Sequence, residues 1–339
     1  MSRQSVTVNG RRVSRPGPWA HSQEPFSSPG DGEIQRFILL RLGQAILSLW
    51  VVSVIVFGLG RITGDPVDVL LPIDATHDER EQLREELGFN APIWTQYGNY
   101  MRNSFKGEFG ESIKYPDYEA MGLVLTRFPT TIKLAVVAIL FSVAVAIPIG
   151  VLSAVKRDSI FDWMGKTIAL LGQSFPPFWL GLIMMWIFAV QLELVPTSQC
   201  QGATSYILPA ITIGWFLVAA LMRLMRSSML EIMDSEFINL ARTKGLRESK
   251  VIWKHAVRNA AVAPLTYFGI IFGGLLVGSV SAETVFNCKG IGLLAFEAVL
   301  ARDFPLMQAI VVFFAGIYVI TNLVIDVMYA YLDPRIRYA

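Results

Sequence analysis

The sequence predicts an all-α integral membrane protein with six transmembrane helices and one sizeable extracytoplasmic loop between the first two. Three observations predict it. The 339 residues are 53% hydrophobic and only 17% charged, with a mean hydropathy of +0.48, whereas soluble domains carry about 25% charge. Six windows close to the length needed to cross hydrocarbon, about 20 residues, lack Asp, Glu, Lys and Arg altogether. Finally, eight of the 29 Lys and Arg residues crowd into one loop, 223–258. A chain of this composition cannot cover its apolar surface as a soluble enzyme, and a net charge of +2 gives no basis for a nucleic-acid partner.

The elements follow in order. Residues 1–36 are rich in Ser, Arg, Pro and Gly and have little to pack, so they are expected to form a disordered cytoplasmic tail. Arg11-Arg12 lacks the short apolar region and small-residue cleavage site of an export signal. The first transmembrane helix is expected at 37–60, where Leu42–Gly60 is charge-free and Arg36 and Arg41 flank it. Within the extracytoplasmic loop 61–130, Asp78–Leu87 reads as a charged amphipathic helix with Gly88 as its C-cap. Trp94, Tyr97, Tyr100 and Met101 suggest a second helix near the interface.

The membrane domain is expected over 131–331. Its windows are Leu134–Val155, Thr167–Val190, Tyr206–Met222, Asn259–Ala282 and Leu306–Ile325. Pro176-Pro177 removes two adjacent N–H groups from the second of these, predicting a kink or re-entrant break. The window Asn259–Ala282 carries Gly269-x-x-x-Gly273 and Gly274-x-x-x-Gly278, small-residue pairs that let a neighbouring backbone approach. They suit tight packing within the chain or across a dimer, and equally a path that changes width. A cytoplasmic tail, 332–339, closes the chain.

Charge sets the orientation. Among the short loops, 191–205 has no Lys or Arg whereas 223–258 has eight, and loop 61–130, longer than 60 residues, crosses largely regardless of charge. Both termini are therefore expected in the cytoplasm.

Catalysis finds no support. His21, His77 and His255 fall on a tail, an outer loop and an inner loop, and no H-E-x-x-H or C-x-x-C spacing occurs, so no metal site is expected. Gly165-Lys166-Thr167 resembles the end of a phosphate-binding loop, but the glycine required five residues earlier is Ile160. Ion coupling usually leaves ionisable groups near the midplane, and none of the six windows holds one.

The inner loop 223–258 is the informative segment. Glu231–Leu246 reads as a short helix, with Asp234 or Ser235 able to cap its start and Gly245 able to end it in a left-handed turn. Phe237, Ile238, Leu240 and Ala241 give it an apolar face in need of cover. A second helix, Ser249–Asn259, would lead into the next span. Residue patterning leaves two readings open: a basic helix lying on anionic headgroups, or a docking element for a cytoplasmic protein.

Here the residues resemble a known family. Glu236-Phe237-Ile238-Asn239-Leu240-Ala241-Arg242-Thr243-Lys244-Gly245-Leu246, followed by His255-Ala256-Val257-Arg258-Asn259-Ala260, is similar to the coupling-helix motif of permease subunits in ATP-binding cassette (ABC) importers. The dipeptide/oligopeptide/nickel branch is the most similar. Four further stretches agree with it: Gly64-Asp65-Pro66-Val67, Gln173–Gly181, Glu283-Thr284-Val285-Phe286 with Gly290-Ile291-Gly292, and Leu332–Tyr338. The resemblance covers roughly 37–339. It implies the type I ABC importer transmembrane fold, and a chain forming half of a translocation pathway in a prokaryotic plasma (inner) membrane. The implied substrates are di- or oligopeptides, with nickel chelates or oligosaccharides as rivals; a secondary carrier or channel is the distant alternative. Implied partners are a second homologous permease, two cytoplasmic ATPase subunits and an extracytoplasmic substrate-binding protein. ATP and Mg would be bound by the ATPases, leaving no cofactor in this chain. Glu236, Ala241, Arg242, Gly245 and Leu246 match the motif that couples to the ATPase.

Some positions depart from the pattern. Asn239 stands where the general motif has glutamate, and Lys289 replaces an expected proline. Cys200 and Cys288 lie where the family has other residues, so the resemblance is silent about them. By topology both fall in outer loops. A disulfide joining the two loops is one expectation, since an oxidising compartment would preserve it; two free, half-buried thiols are the other.

Overall fold

The computed structural model describes residues 6–8, 11–13, 31–62, 75–86, 88–265 and 279–332, with 67, 71, 267, 271, 274 and 275 as single positions between them. Strands β1 (Val6–Val8) and β2 (Arg11–Val13) pair antiparallel, Val6 opposite Val13 and Val8 opposite Arg11. They lie in the stretch expected to be disordered. The intervening dipeptide is Asn9-Gly10, a strong short-range hairpin signal. Helix α1 (Asp31–Ile62) starts six residues before the expected boundary.

Between α1 and the next long helix lie two short ones. α2 (His77–Glu86) opens with a reciprocal capping box: the Thr76 N–H donates to Glu79 Oε2 (2.8 Å) and the Glu79 N–H to Thr76 Oγ1 (3.4 Å). Gly88 follows in the left-handed conformation, φ +70°, as the helix-stop reading requires. α3 (Ile93–Lys106) packs on the end of α1, where the Tyr97 hydroxyl meets Ser53 Oγ at 2.8 Å and the Tyr97 and Tyr100 rings flank Phe57.

The core of the bundle is the pair α4 (Ala120–Val155) and α7 (Ile207–Met233). Two glycines, one on each helix, let them approach. A Cβ on Gly214 would stand 2.8 Å from the Ala138 carbonyl oxygen, and one on Gly150 would stand 2.9 Å from the Met222 carbonyl oxygen. Such contacts are the small-residue packing expected of membrane helices, whose apolar surfaces gain little from leaving lipid. Ser142 Oγ seals the pair, 2.6 Å from the Ala138 carbonyl and 2.9 Å from that of Gly214.

Helix α5 (Ile160–Ser174) and helix α6 (Pro177–Met184, continuing as a π-turn over Met185–Gln191) are the two halves of the window broken by Pro176-Pro177. They meet at 105°. Phe175 is extended, φ −96° and ψ 132°, as a residue before proline must be, and its ring stacks on Trp179 at 4.8 Å. Among the described residues four helices are long and apolar enough to span a membrane, and the bent pair makes a fifth if its two halves count as one span. The window Asn259–Ala282 falls largely outside the described residues.

At the far end, α11 (Val280–Val285), α12 (Ile291–Leu300) and α13 (Phe304–Leu332) close the bundle, with α13 against α1. The loop that follows α7 carries three short helices, α8 (Glu236–Thr243), α9 (Glu248–Lys250) and α10 (Val257–Ala260). Two buried carboxylates organise this region. Glu283 accepts hydrogen bonds from Thr131 Oγ1 (2.8 Å) and the Leu293 N–H (3.0 Å), with Gly290 and Gly292 packed against it so closely that neither has room for a Cβ. Asp303 accepts from Ser112 Oγ (2.5 Å), the Lys114 N–H (3.0 Å) and the Leu306 N–H (3.1 Å). It thereby ties the turn at 111–119 to the first turn of α13.

Candidate functional site: the loop after α7

Helix α7 does not stop where its apolar window stops. It runs on through Arg223 and Arg226 to Met233, so Glu231–Met233 belong to it and not to the loop helix. Ser235 then takes the N-cap position of α8 with extended backbone, φ −75° and ψ 151°. Its hydroxyl, however, donates to the Ile232 carbonyl at 2.5 Å and makes no side-chain capping bond. Glu236, in the first turn, supplies the favourable negative charge instead. Beyond α8 the chain runs through α9, a π-turn over Val251–Ala256, and α10, in place of the single helix expected over Ser249–Asn259.

The apolar face of α8 is divided. Ile238 (0% exposed) and Ala241 (9%) pack into the chain itself, against Met225, Met229, Val151 and Val251. Phe237 (42%) and Leu240 (59%) are exposed. Half of the face read as needing a partner thus anchors the loop to α4 and α7, and the other half remains for something else.

Gly245 ends the element at φ +73°, with its N–H donating to the Arg242 carbonyl (2.9 Å) and the Leu246 N–H to that of Ala241 (3.4 Å). Half-buried Leu246 packs against the same cluster as Ile238. The Arg242 guanidinium pairs with Glu248, Nη2–Oε1 2.9 Å and Nε–Oε2 3.3 Å, joining the end of α8 to the start of α9. That pairing holds the Glu248 carboxyl below its ordinary range and raises Arg242. Both side chains are solvated, so the pair fixes geometry more than it adds stability. Glu236, Ala241, Arg242, Gly245 and Leu246 are therefore brought together on one compact loop.

The other residues singled out from the sequence are dispersed. Gly269, Gly273 and Gly278 lie outside the described residues, and Gly274 is exposed with nothing within 4 Å of its Cβ position. Among the described residues, the glycines that bring α4 and α7 together are Gly150 and Gly214, which do not stand in a small-xxx-small repeat of glycines. Cys200 and Cys288 are buried and disulfide-bonded, with Cα atoms 5.1 Å apart, and the Gln199 N–H donates to the Phe286 carbonyl beside them (3.0 Å). His21 lies outside the described residues, and among the described residues no three His, Cys, Asp or Glu side chains gather as a metal site.

Two family models match the chain. The one for binding-protein-dependent transport system inner membrane components matches 146–338, and the one for the N-terminal part of such membrane components matches 34–135. A glutathione transport system permease protein of Escherichia coli strain K12 is 34% identical over 306 residues, covering 89% of this chain and 99% of its own. A dipeptide transport system permease protein of Alkalihalophilus pseudofirmus is 34% identical over 328 residues, covering 88% and 98%. A solved amino acid ABC transporter chain aligns over 63% of this chain and 94% of its own, at TM-score 0.45 and 14% identity, too low to bear on the argument. From the two family models and the near full-length relatives, the chain belongs to the family of binding-protein-dependent transport system inner membrane components: it is a multi-pass permease subunit of an ABC importer, with that family's all-helical type I fold.

Proposed function

We propose that this permease forms half of a path for di- or oligopeptides across a prokaryotic inner membrane, and that α8 is the element by which ATPase subunits drive it. The observation that carries the proposal is the divided face of α8. Ile238 and Ala241 root the helix in α4 and α7, while Phe237 and Leu240 offer an uncovered apolar surface beside the solvated Arg242–Glu248 pair. A helix that only lay on headgroups would have no need of that rooting. A helix that passes force from another protein into the bundle requires it.

The importer family supplies the partners in general form, ATPases and a substrate-binding protein. The full assembly we infer contains a second, homologous permease, two ATPases seated under the two coupling loops, and one binding protein on the opposite side. ATP and Mg belong to the ATPases. Both termini lie in the cytoplasm, since that orientation places loop 223–258 with its eight basic residues inside and the uncharged-by-Lys/Arg loop 191–205 outside. Peptide cargo is supported by the printed names of the relatives, which concern glutathione and dipeptides. Closure of the ATPases would bias the bundle between inward-open and outward-open states through α8.

The test is retention of the ATPases by the detergent-solubilised permease pair. Phe237→Asp with Leu240→Asp is expected to abolish co-purification while leaving the permease folded. Undiminished retention would overturn the assignment of α8.

A further inference from the structure

The strongest unassigned feature is a fully buried carboxylate one layer above the loop. Asp162, in the first turn of α5, is 0% exposed and collects donors from three helices. Arg226 of α7 grips it with two bonds, Nε to Oδ1 at 2.7 Å and Nη2 to Oδ2 at 2.9 Å. Ser153 Oγ of α4 donates to Oδ1 at 2.6 Å, the Asp158 N–H to Oδ2 at 3.1 Å, and Lys166 Nζ stands 2.9 Å from Oδ2. A buried ion pair adds little net stability compared with an apolar packing of the same volume, because desolvation offsets much of the attraction. What a bidentate pair does supply is a fixed geometry between the two elements that carry it.

Its position gives that geometry a use. Arg226 sits one turn before Met229, and Met229 packs in the same buried cluster as Ile238 and Ala241 of α8. On the other side, α5 is held close to its neighbours along its length, with Gly165 against Ser153 and Gly172 against Trp215 and Ala219. It then ends at the 105° break before α6. A continuous line of contacts therefore runs from the loop, through Met229, Arg226 and Asp162, to the bent span.

We propose that Asp162 and Arg226 are positioning residues for transport: they lock α5 to the inner end of α7, so that a displacement of α8 reaches the break at Pro176-Pro177. The proposal rests on the reading of α8 as the ATPase contact.

Two measurements test it in the complete reconstituted importer, with partner permease, ATPases and binding protein. The first uses spin labels at Trp163→Cys on α5 and Glu231→Cys on α7, both exposed. Their separation is expected to stay within about 2 Å between the nucleotide-free and ATP-trapped states, whereas a change near one helical turn, about 5 Å, would overturn the lock. The second is the number of peptides imported per ATP hydrolysed. Asp162→Asn and Arg226→Lys are expected to lower it about tenfold, a typical coupling effect, with ATPase retention unchanged. A wild-type ratio in both would overturn the proposal. Should Asp162→Asn fail to assemble, the neutral pair D162N/R226Q leaves no buried charge, and its ratio is read in the same way. Gly245→Val separates the two layers of the argument. If it uncouples transport while Asp162→Asn does not, only the lock fails; if it changes neither ATPase retention nor uptake, the α8 reading fails and the lock with it.

Discussion

Gly245 offers a perturbation whose size follows from geometry alone. It adopts φ +73°, and a Cβ built there would meet nothing within 4 Å. Substitution therefore costs backbone strain and nothing from crowding. An L-residue in the left-handed region costs about 1–2 kcal/mol, which corresponds to roughly a five- to thirtyfold loss in the population of loops with α8 correctly terminated. Asn visits that region with less penalty, and a β-branched residue suffers more. The expected order of function is Gly, then Asn, then Ala, then Val. The assay is the affinity of the purified permease pair for its ATPases, with coupled uptake as a second reading. Val binding as well as Gly, or Asn binding worse than Val, would refute the reasoning, because neither follows from a φ-controlled cap.

Three further outcomes are expected. Gly214→Leu must part α4 from α7, since even a Cβ stands 2.8 Å from the Ala138 carbonyl oxygen; overpacking of this kind costs about 1–3 kcal/mol, readable as a lower unfolding midpoint in detergent. Reduction of the Cys200–Cys288 bond, which closes a loop over a sequence separation of 88, should lower stability by about 2–4 kcal/mol, and denatured, unreduced protein should show no labelled thiols. Tyr115 donates to Glu297 at 2.5 Å, and burial together with that carboxylate pushes its phenol from 10 up to about 12. Its contribution is thus complete below pH 10, where folded and unfolded phenols are both neutral, and is lost as the pH rises from 10 towards 12. Tyr115→Phe should flatten the stability profile over that interval.

Much of the architecture is legible in hydropathy, and the departures have identifiable causes. The charge-free windows cover α4 only from Leu134 and α7 only to Met222, because Arg127, Lys133, Arg223 and Arg226 interrupt the apolar run. The helices themselves continue, since a helix needs only local hydrogen bonds and these side chains find water or partners. Arg226 is the clear case: a charge just beyond the end of a window in the sequence is matched in the structure by Asp162, 64 residues away. The same holds for Glu283 with Thr131, 152 residues apart, and Asp303 with Ser112, 191 apart. No periodicity encodes such pairs. The break at Pro176-Pro177 was readable because proline acts locally, although its 105° angle was not.

The loop shows the same division. Its helix, its basic charge and the turn at Gly245 are local properties and could be read from the sequence. That Ile238 and Ala241 face inward while Phe237 and Leu240 face outward depends on where α4 and α7 lie, so the sequence showed an apolar face without showing that it is shared between two partners. The pairing of Val6–Val8 with Arg11–Val13 has a local signal, Asn9-Gly10, set in a stretch whose composition is that of a disordered tail.

The central claim is that ATP hydrolysed by partner subunits drives peptide uptake through the loop after α7. Its most direct test is uptake of a labelled dipeptide into vesicles holding the complete importer, with ATP enclosed on the side of that loop. Uptake should require ATP and should fall sharply in the Phe237→Asp, Leu240→Asp variant. Uptake that persists without ATP, or that the variant leaves unchanged, would contradict it.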